Sequence, residues 1–407
     1  MVTKKITIVT LLFTSLFGIL NVSAQNQPDF SIAPGVVVAH KPKSGKIYLG
    51  SPSICKLPNG DYLVSHDNFG PSSTEHVSAV SNIYRSANKG KTWEPVAEIN
   101  GAFWSKLFVH NKAVYLIGTN KHHGNLVIRK STDNGYTWTT PNDTDHGLLL
   151  QGEYHVAPTP LVYSKGRIWR AIEDATDIGI KTWGPRYSAM MISAPQDADL
   201  LKAESWTASN HIRMDSTYLA GGFGGWVEGN ALVAPSGEMV DVLRVHDKNS
   251  FDEKAATVRL SADGNIASFD PDKDFMLFPG GSKKFVIQYD AKSKKYWALT
   301  NYVPNDIRTE AVKLPKVKFS THIRNTLALC SSTDLVNWQV NHVILQHNDV
   351  LNHAFQYPDW MIEGKDIVFV SRTAFEDGLG GAANNHNNNF ITFHVIKNFR
   401  KFIGIVK

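Results

Sequence analysis

The stretch Ser131-Thr132-Asp133-Asn134-Gly135-Tyr136-Thr137-Trp138 decides the fold. Its pattern, S-x-D-x-G-x-T-W, predicts a tight turn between two β-strands. In such a turn the Asp133 carboxylate accepts hydrogen bonds from backbone amides, and Gly135 supplies a positive φ angle. The indole of Trp138 is expected to pack beneath the turn. These are folding roles, so we expect Asp133 to stabilise the chain and to take no part in catalysis.

Two further stretches repeat this pattern. Residues 86–93 (SANKGKTW) keep the frame with Asn88 in place of the aspartate, and residues 331–338 (SSTDLVNW) are a decayed copy. Two copies in good register and a third, degenerate one predict a repeat architecture. The pattern is that of the Asp box, a turn found at the base of β-propeller blades.

Six hairpins follow one another along the chain, each with two short apolar runs joined by turn residues. The paired runs are 52–57 with 62–65, 105–109 with 113–118, 159–163 with 167–172, 230–234 with 239–245, 285–289 with 295–300, and 358–362 with 367–371. The first and last apolar runs, 36–39 and 390–396, can pair and close the ring, which would hide strand edges. The sequence predicts an all-β, closed β-propeller with six repeat units. A seventh, degenerate blade would have to lie within 175–225 or 303–323.

Residues 1–24 have the pattern of a signal peptide. Lys4 and Lys5 precede an apolar run over 6–20, and Val22-Ser23-Ala24 offers a cleavage site. The run is too short for a membrane span. We predict a secreted, periplasmic monomer with no membrane span and a single β-propeller catalytic domain over 25–407. Cys55 and Cys330 lie in apolar runs and are expected to be buried free thiols.

The charge pattern limits the possible partners. The 407-residue chain has a net charge of +5. Its lysines and arginines are scattered, which excludes a nucleic-acid-binding patch and leaves a mild basicity suited to an acidic substrate. The sequence contains no HExxH, CxxC or G-x-S-x-G motif, so no motif requires a metal or cofactor. A structural calcium ion held by carbonyl groups in the central channel would leave no sequence signal.

Polar residues collect at one face of the predicted propeller. In each blade the first strand starts on the face where the second strand ends, whereas the Asp-box turns lie on the opposite face. Arg244 and Arg372 end apolar strands, where a cation needs a partner or an anionic ligand. The predicted substrate-binding residues at this face are His122, His123, Tyr154, His155, Arg170, Glu228, Arg244, Arg324 and Arg372.

Asp boxes in an exported propeller resemble those of sialidases. That resemblance implies an arginine cluster for the sialate carboxylate, including an early Arg-Ile-Pro motif, and a tyrosine–glutamate nucleophile couple. Here no arginine precedes Arg85 and Arg-Ile-Pro is absent. We therefore expect a sialidase-like fold and keep exo-α-sialidase activity as an alternative.

A second resemblance covers essentially the whole chain after residue 24. Its motifs are AH (39–40), SPS (51–53), LPNGDY (57–62), SHD (65–67), FGP (69–71), YHVAPTP (154–160) and GRIWRAIED (166–174). They are similar to the bacterial α-L-rhamnosidase and L-rhamnose-α-1,4-D-glucuronate lyase family of propellers. This resemblance implies seven blades. It also implies exo-acting removal of terminal L-rhamnose α-1,4-linked to glucuronic acid in arabinogalactan side chains, so that the partner is a plant-type acidic polysaccharide or oligosaccharide.

The resemblance also implies an essential histidine near the N-terminus, which His66 and His40 both satisfy. The position of His66 at a strand end beside Asp67 favours it as the catalytic residue, with His40 second. Elimination would need a base for the C5 proton and a cation for the enediolate, whereas hydrolysis would need two carboxylates. The residues leave both chemistries open. A non-catalytic glycan-binding propeller is a further alternative.

Overall fold

The computed structural model describes residues 27–176 and 179–403. Its strands form six sheets, each of four or five mostly antiparallel strands, and the sheets are the blades of a six-bladed β-propeller. The predicted signal peptide lies outside the described residues.

The strands follow one another blade by blade. After β1 (Val36–His40), blade 1 has β2 (Tyr48–Leu49), β3 (Ser53–Lys56), β4 (Tyr62–Phe69), β5 (Val80–Ser86) and β6 (Glu94–Asn100). Blade 2 has β7 (Phe103–His110), β8 (Ala113–Thr119), β9 (Leu126–Ser131) and β10 (Leu148–Leu150). Blade 3 has β11 (Tyr154–His155), β12 (Val162–Ser164), β13 (Arg167–Asp174), β14 (Ser188–Pro195) and β15 (Thr207–Ala208).

The second half of the chain continues this order. Blade 4 has β16 (Phe223–Val233), β17 (Met239–Asp247), β18 (Lys254–Leu260), β19 (Ala267–Ser268) and β20 (Phe275–Leu277). Blade 5 has β21 (Val286–Asp290), β22 (Lys295–Thr300), β23 (Thr326–Ser332) and β24 (Gln339–Gln346). Blade 6 has β25 (Ala354–Glu363), β26 (Asp366–Ala374) and β27 (Phe390–Ile396), and β1 pairs with β27 as predicted.

Few residues are helical. The α-helix α1 (Asn305–Ala311) and the 3₁₀-helix Ser320–His322 lie in the connection between β22 and β23. The other 3₁₀-helices are Lys43–Gly45, Ala203–Ser205, Tyr218–Gly221 and Phe399–Lys401. No helix among the described residues is long and apolar enough to cross a membrane.

The six predicted hairpins each form the first two-stranded unit of a blade, but a seventh blade is not found in the described part of the chain. The interval 175–225 supplies β14 and β15 to blade 3, and 303–323 contains α1 and a 3₁₀-helix where a blade would need strands. The seven blades implied by the second resemblance therefore do not match this structure.

The turn at Asp133 has the contacts expected of it. The carboxylate accepts hydrogen bonds from the backbone N–H groups of Tyr136 (3.1 Å) and Thr137 (3.0 Å), and Gly135 has a φ of 94°. The Trp138 indole donates to the Gly135 carbonyl and packs against the core between blades 1 and 2. A Cβ on Gly135 would lie 2.8 Å from Leu63, so glycine is also required by the close approach of the neighbouring blade.

The decayed copy folds in a similar way. The Asp334 carboxylate accepts from the backbone N–H groups of Val336 and Asn337, and Leu335 adopts the positive φ (68°). The Trp338 indole donates to the Leu335 carbonyl and packs into the core between blades 4 and 5. These turns thus fix tryptophans between neighbouring blades. Cys55 and Cys330 are buried free thiols, as predicted.

We expect Asp133→Ala to lower the free energy of unfolding by about 1 kcal/mol, because the turn amides lose an acceptor at a largely hydrated position. The melting temperature measures this effect, and Thr132→Ala, at the exposed neighbouring position, is the matched control. Turnover per folded molecule should stay unchanged. A large loss of turnover at an unchanged melting temperature would place the site on this face and contradict the face assignment.

Candidate functional site

The first strands of blades 2, 4 and 6 share an unusual backbone feature. One residue in each strand has a positive φ angle: Trp104 in β7 (50°), Glu228 in β16 (65°) and Tyr357 in β25 (51°). At each of these positions the pairing register shifts, as at a β-bulge. A non-glycine residue in this region costs of order 1–3 kcal/mol, and bulges redirect side chains near functional sites. The three side chains line one cavity.

This cavity has a volume of about 210 Å³ and lies on the face predicted to be functional. Its aromatic lining residues are Phe69, Phe103, Trp104, Trp183, Tyr187 and Tyr357. Its titratable lining residues other than tyrosine are Glu75, His122, His155, Glu228, Arg372 and His386. The volume is below the roughly 300–1,000 Å³ of sites for drug-sized ligands, so it suits one small polar ring better than a chain.

The Tyr357 side chain lies among charged groups. It interacts electrostatically with the Glu228 carboxylate and with the guanidinium groups of Arg244 and Arg324, and the guanidinium carbon of Arg324 lies 5.9 Å from the Tyr357 ring centre. Glu228 Oε2 accepts a hydrogen bond from Arg244 Nη1 at 2.9 Å, and both side chains are 4% exposed. Burial acts to raise the pKa of Glu228, but the charges of Arg244 and His155 outweigh it and the pKa is lowered. Glu228 is therefore an ionised acceptor beside a phenol.

Positive charge exceeds negative charge around this phenol. Arg324 donates to the Thr321 carbonyl and to Gln356, and Arg372 donates to Asn388 and to the His386 carbonyl. Within the described residues neither forms an ion pair with a carboxylate, although they are only 7% and 4% exposed.

The arginines around the phenol stay charged at neutral pH. Burial lowers the pKa of Arg372 to about 10 and also lowers that of Arg324. Three arginines with one carboxylate are expected to attract an anionic ligand.

His155 is fixed by a second carboxylate. Its Nδ1 lies 2.7 Å from Glu173 Oε2, with side chains 6% and 1% exposed, and Glu173 Oε1 accepts from the Gly229 N–H at 3.0 Å. If His155 Nδ1 carries the proton of this hydrogen bond, Nε2 is left for other partners. Glu173 thus ties the imidazole to the backbone next to Glu228.

The two residues predicted to be catalytic lie outside the cavity lining. His66 is 1% exposed, its ring stacks on Tyr84 at 5.6 Å, and burial lowers its pKa to about 4. His40 Nε2 lies 2.9 Å from Asp377 Oδ2, and its ring packs against Phe390. Both side chains are held in the protein interior, so we assign neither of them a proton transfer to substrate.

The other predicted substrate-binding residues divide into two groups. The cavity lining contains four of them, His122, His155, Glu228 and Arg372. Two more, Arg244 and Arg324, are not in the lining but interact electrostatically with the lining residue Tyr357. His123, Tyr154 and Arg170 are not in the lining. His123 Nε2 bonds to the Tyr187 hydroxyl, Tyr154 packs into the core between blades 2 and 3, and Arg170 donates to the carbonyls of Ala157 and Thr159.

Sequence reasoning missed several lining residues. The predicted site residues did not include Tyr357, Trp104, Tyr187, Trp183, Glu75 and His386. Tyr357 comes directly before the predicted run 358–362, whose start was placed at the functional face, so its position along the chain was available from the sequence. Its orientation depends on the bulge, which has no local sequence signal here.

The propeller axis holds an ammonium group. Lys284 Nζ donates to the carbonyls of Pro158 and Pro358, which belong to opposite blades. Burial lowers the pKa of Lys284 to about 7, while Asp359 acts to raise it. The structural calcium ion expected in the central channel stays a prediction.

A larger cavity of about 700 Å³ lies on the opposite face, among the hairpin turns. Most of its lining residues are aliphatic or aromatic, with Lys294 as the one charged side chain. The Tyr163 hydroxyl bonds to His110, and the Tyr296 hydroxyl donates to a backbone carbonyl. With no carboxylate or histidine in its lining, this cavity lacks the groups for acid–base chemistry, so we place the candidate site on the other face.

No protein-family model and no curated protein sequence matches this chain significantly. Several solved structures share its fold. An α-L-arabinanase of Penicillium chrysogenum, solved with arabinobiose, is 16% identical with a TM-score of 0.54, covering 90% of this chain and 99% of that chain. A protein of unknown function from Dyadobacter fermentans is 14% identical with a TM-score of 0.57, covering 90% and 98%.

The Hadza microbial sialidase Hz136 is 14% identical with a TM-score of 0.58, covering 91% of this chain and 69% of that chain. At such identities the likeness shows the fold alone. The chain is therefore similar to sialidase-like and arabinanase β-propellers. The rhamnosidase and lyase family that its motifs resemble does not appear among these three.

Proposed function

We propose that this protein is an exo-acting glycoside hydrolase that removes a single terminal sugar bearing a carboxylate, with Tyr357 as its nucleophile. The proposal rests on one observation, the Tyr357 phenol lining a cavity of one-ring size together with the Glu228 carboxylate and close to the guanidinium groups of Arg324 and Arg372. A tyrosine nucleophile is known among glycosidases as the exception to the usual pair of carboxylates.

Glu228 and the arginines would activate the phenol. A phenol is a weak nucleophile until a neighbouring base takes its proton. Glu228 is ionised and lines the same cavity, so it would accept that proton once the two groups meet, and Arg244 and Arg324 would stabilise the phenolate. The phenolate oxygen then attacks the anomeric carbon, the glycosidic bond breaks, and water later hydrolyses the tyrosyl–sugar bond.

Arg372 is the arginine that lines the cavity directly, and it would bind the carboxylate of the sugar. Its guanidinium carbon lies 4.7 Å from the Phe69 ring centre and 4.5 Å from the Tyr357 ring centre, which fixes its plane. A fixed guanidinium can donate two parallel hydrogen bonds to a carboxylate. This geometry favours an anionic sugar over a neutral one.

His155 would protonate the leaving oxygen. It lines the cavity, and the hydrogen bond between its Nδ1 and Glu173 fixes its ring. Besides Glu228, the cavity lining contains one more acidic side chain, Glu75. Burial acts to raise the pKa of Glu75, but the neighbouring His122 imidazole and the hydrogen bond from the Gly70 N–H outweigh it, and the lowered pKa makes Glu75 a poor proton donor.

A second candidate uses the same groups for elimination. In a glycan capped by L-rhamnose α-1,4-linked to glucuronic acid, the carboxylate lies on the sugar next to the broken bond. Arg372 would stabilise the enediolate, and His155 would take the C5 proton. The C4–O bond then breaks as the C4–C5 double bond forms, and protonated His155 would give its proton to the departing rhamnose oxygen. The motifs that resemble the rhamnosidase and lyase family favour this candidate, while the Tyr357–Glu228 couple favours hydrolysis.

A panel of four substrates separates the candidates. We expect the purified protein to release the terminal sugar from a sialoside or a terminal glucuronide, and from the matched neutral glycoside at a rate at least ~100-fold lower. Rhamnose released from the rhamnose–glucuronate disaccharide together with an unsaturated uronate would establish elimination instead. Tight binding of these glycans without any product would establish a binding protein and contradict both enzymatic candidates.

Replacing the proton donor should have an effect that depends on the leaving group. We expect His155→Gln to reduce turnover of a sugar–sugar linkage by roughly 10²–10⁴-fold. A 4-methylumbelliferyl glycoside should lose less than about tenfold, because its leaving group departs without a proton. His146→Gln, at an exposed histidine paired with Asp143, is the control. Equal losses on both substrates would exclude His155 as the proton donor.

A further inference from the structure

We propose that Glu75, His76 and His122 form a binding site for a divalent transition-metal ion such as Zn²⁺ at the rim of the cavity. The possible ligand atoms of these three residues all lie within 4.8 Å of one another. One carboxylate and two imidazoles are a usual ligand set for zinc and related ions. This inference does not depend on the proposed hydrolase activity.

Two of the distances between the ligand atoms are close to those expected around a bound zinc ion. Glu75 Oε1 lies 3.2 Å from His76 Nε2 and 3.6 Å from His122 Nδ1. Ligands about 2.0–2.2 Å from a tetrahedral zinc ion are roughly 3.3–3.6 Å apart. The His76 ring stacks on that of His122 at 4.6 Å, so the His76 ring must turn for its lone pair to face the ion. It is 71% exposed and has room to do so.

Two of the ligand atoms, Glu75 Oε1 and His122 Nδ1, are also free to bind a cation. Glu75 Oε2 accepts hydrogen bonds from the Gly70 N–H at 3.0 Å and the Ser73 hydroxyl at 3.3 Å, which leaves Oε1 facing the two imidazoles. His122 Nδ1 is buried and has no hydrogen-bond partner within the described chain. Glu75 and His122 both line the cavity, so a remaining coordination position can take a ligand oxygen there.

In a second histidine–carboxylate group, formed by His347, His353 and Glu376, most of the ring nitrogens already have partners. His353 has Asp349 at 3.3 Å from Nδ1 and Glu376 at 2.7 Å from Nε2, and His347 Nδ1 accepts from the Asp349 N–H. Both ring nitrogens of His353 and Nδ1 of His347 are thus already engaged. We assign no metal to this group, and His347 supplies a control.

Zinc titration of chelator-treated protein, followed by calorimetry, tests the site with the metal alone. We expect one ion per chain, and at least a ~100-fold weaker Kd in His76→Ala, whose exposed side chain is not needed for folding. His122→Ala should lose binding as well, and His347→Ala should bind as the wild type does. No stoichiometric binding, or an unchanged Kd in His76→Ala, would overturn the proposal whatever the glycosidase assays show.

Discussion

Tyr357→Phe is expected to lower turnover of the carboxylate-bearing substrate by at least ~10³-fold, because it removes the attacking oxygen and keeps the ring. Removing a catalytic nucleophile costs up to ~10⁶-fold in well-studied hydrolases, and the residual rate reflects binding and electrostatic stabilisation alone. The phenylalanine ring should preserve the contact with Arg372, so the melting temperature should change little.

Tyr187→Phe is the matched control for this experiment. Tyr187 lines the same cavity, but its hydroxyl bonds to His123 Nε2 and lies outside the arginine cluster. We expect this variant to keep turnover within about tenfold of the wild type. If Tyr357→Phe stays equally active, the phenol is not the nucleophile, and Glu228 becomes the next group to test.

Arg372→Met is expected to reduce kcat/KM for the carboxylate-bearing substrate by on the order of 10²-fold or more. Truncating one partner of a buried charged pair costs about 2–5 kcal/mol, part of which is the unpaired charge left behind. The loss should appear mainly as a higher KM, because the bound carboxylate keeps most of its contact through the reaction.

The control for Arg372→Met is a neutral analogue of the same sugar. Its slow turnover should change by less than about tenfold, since it has no carboxylate to lose a partner. Arg372→Lys should recover part of the activity on the charged substrate, although a lysine cannot form the two parallel hydrogen bonds. Equal losses on the charged and neutral substrates would mean that Arg372 supports the fold of the cavity and does not recognise the carboxylate.

The blades could be predicted from the sequence because their signals are local. The turn chemistry around Asp133 and the alternating apolar residues of each hairpin are contained in a few neighbouring residues, and the structure places all six hairpins where they were predicted. The pairing of β1 with β27 also followed, since both strands were left without partners.

The site was only partly predictable, because the side to which a strand-end residue points depends on register. Arg372 was found as a cation at the end of an apolar strand. His66 was assigned to the correct strand end, but its ring lies against Tyr84 between strands and not in the cavity. Tyr357 was missed because a bulge with a positive φ breaks the alternation there.

The central claim is a covalent sugar on Tyr357, and trapping that intermediate tests it most directly. A fluorinated glycosyl fluoride of the preferred carboxylate-bearing sugar should accumulate as the glycosyl enzyme, because the ring fluorine slows its hydrolysis. Mass spectrometry of the digested protein should then find one added glycosyl group, on the peptide that contains Tyr357, and none in Tyr357→Phe. A glycosyl group on a carboxylate such as Glu228, or steady turnover with no trapped intermediate, would contradict this account.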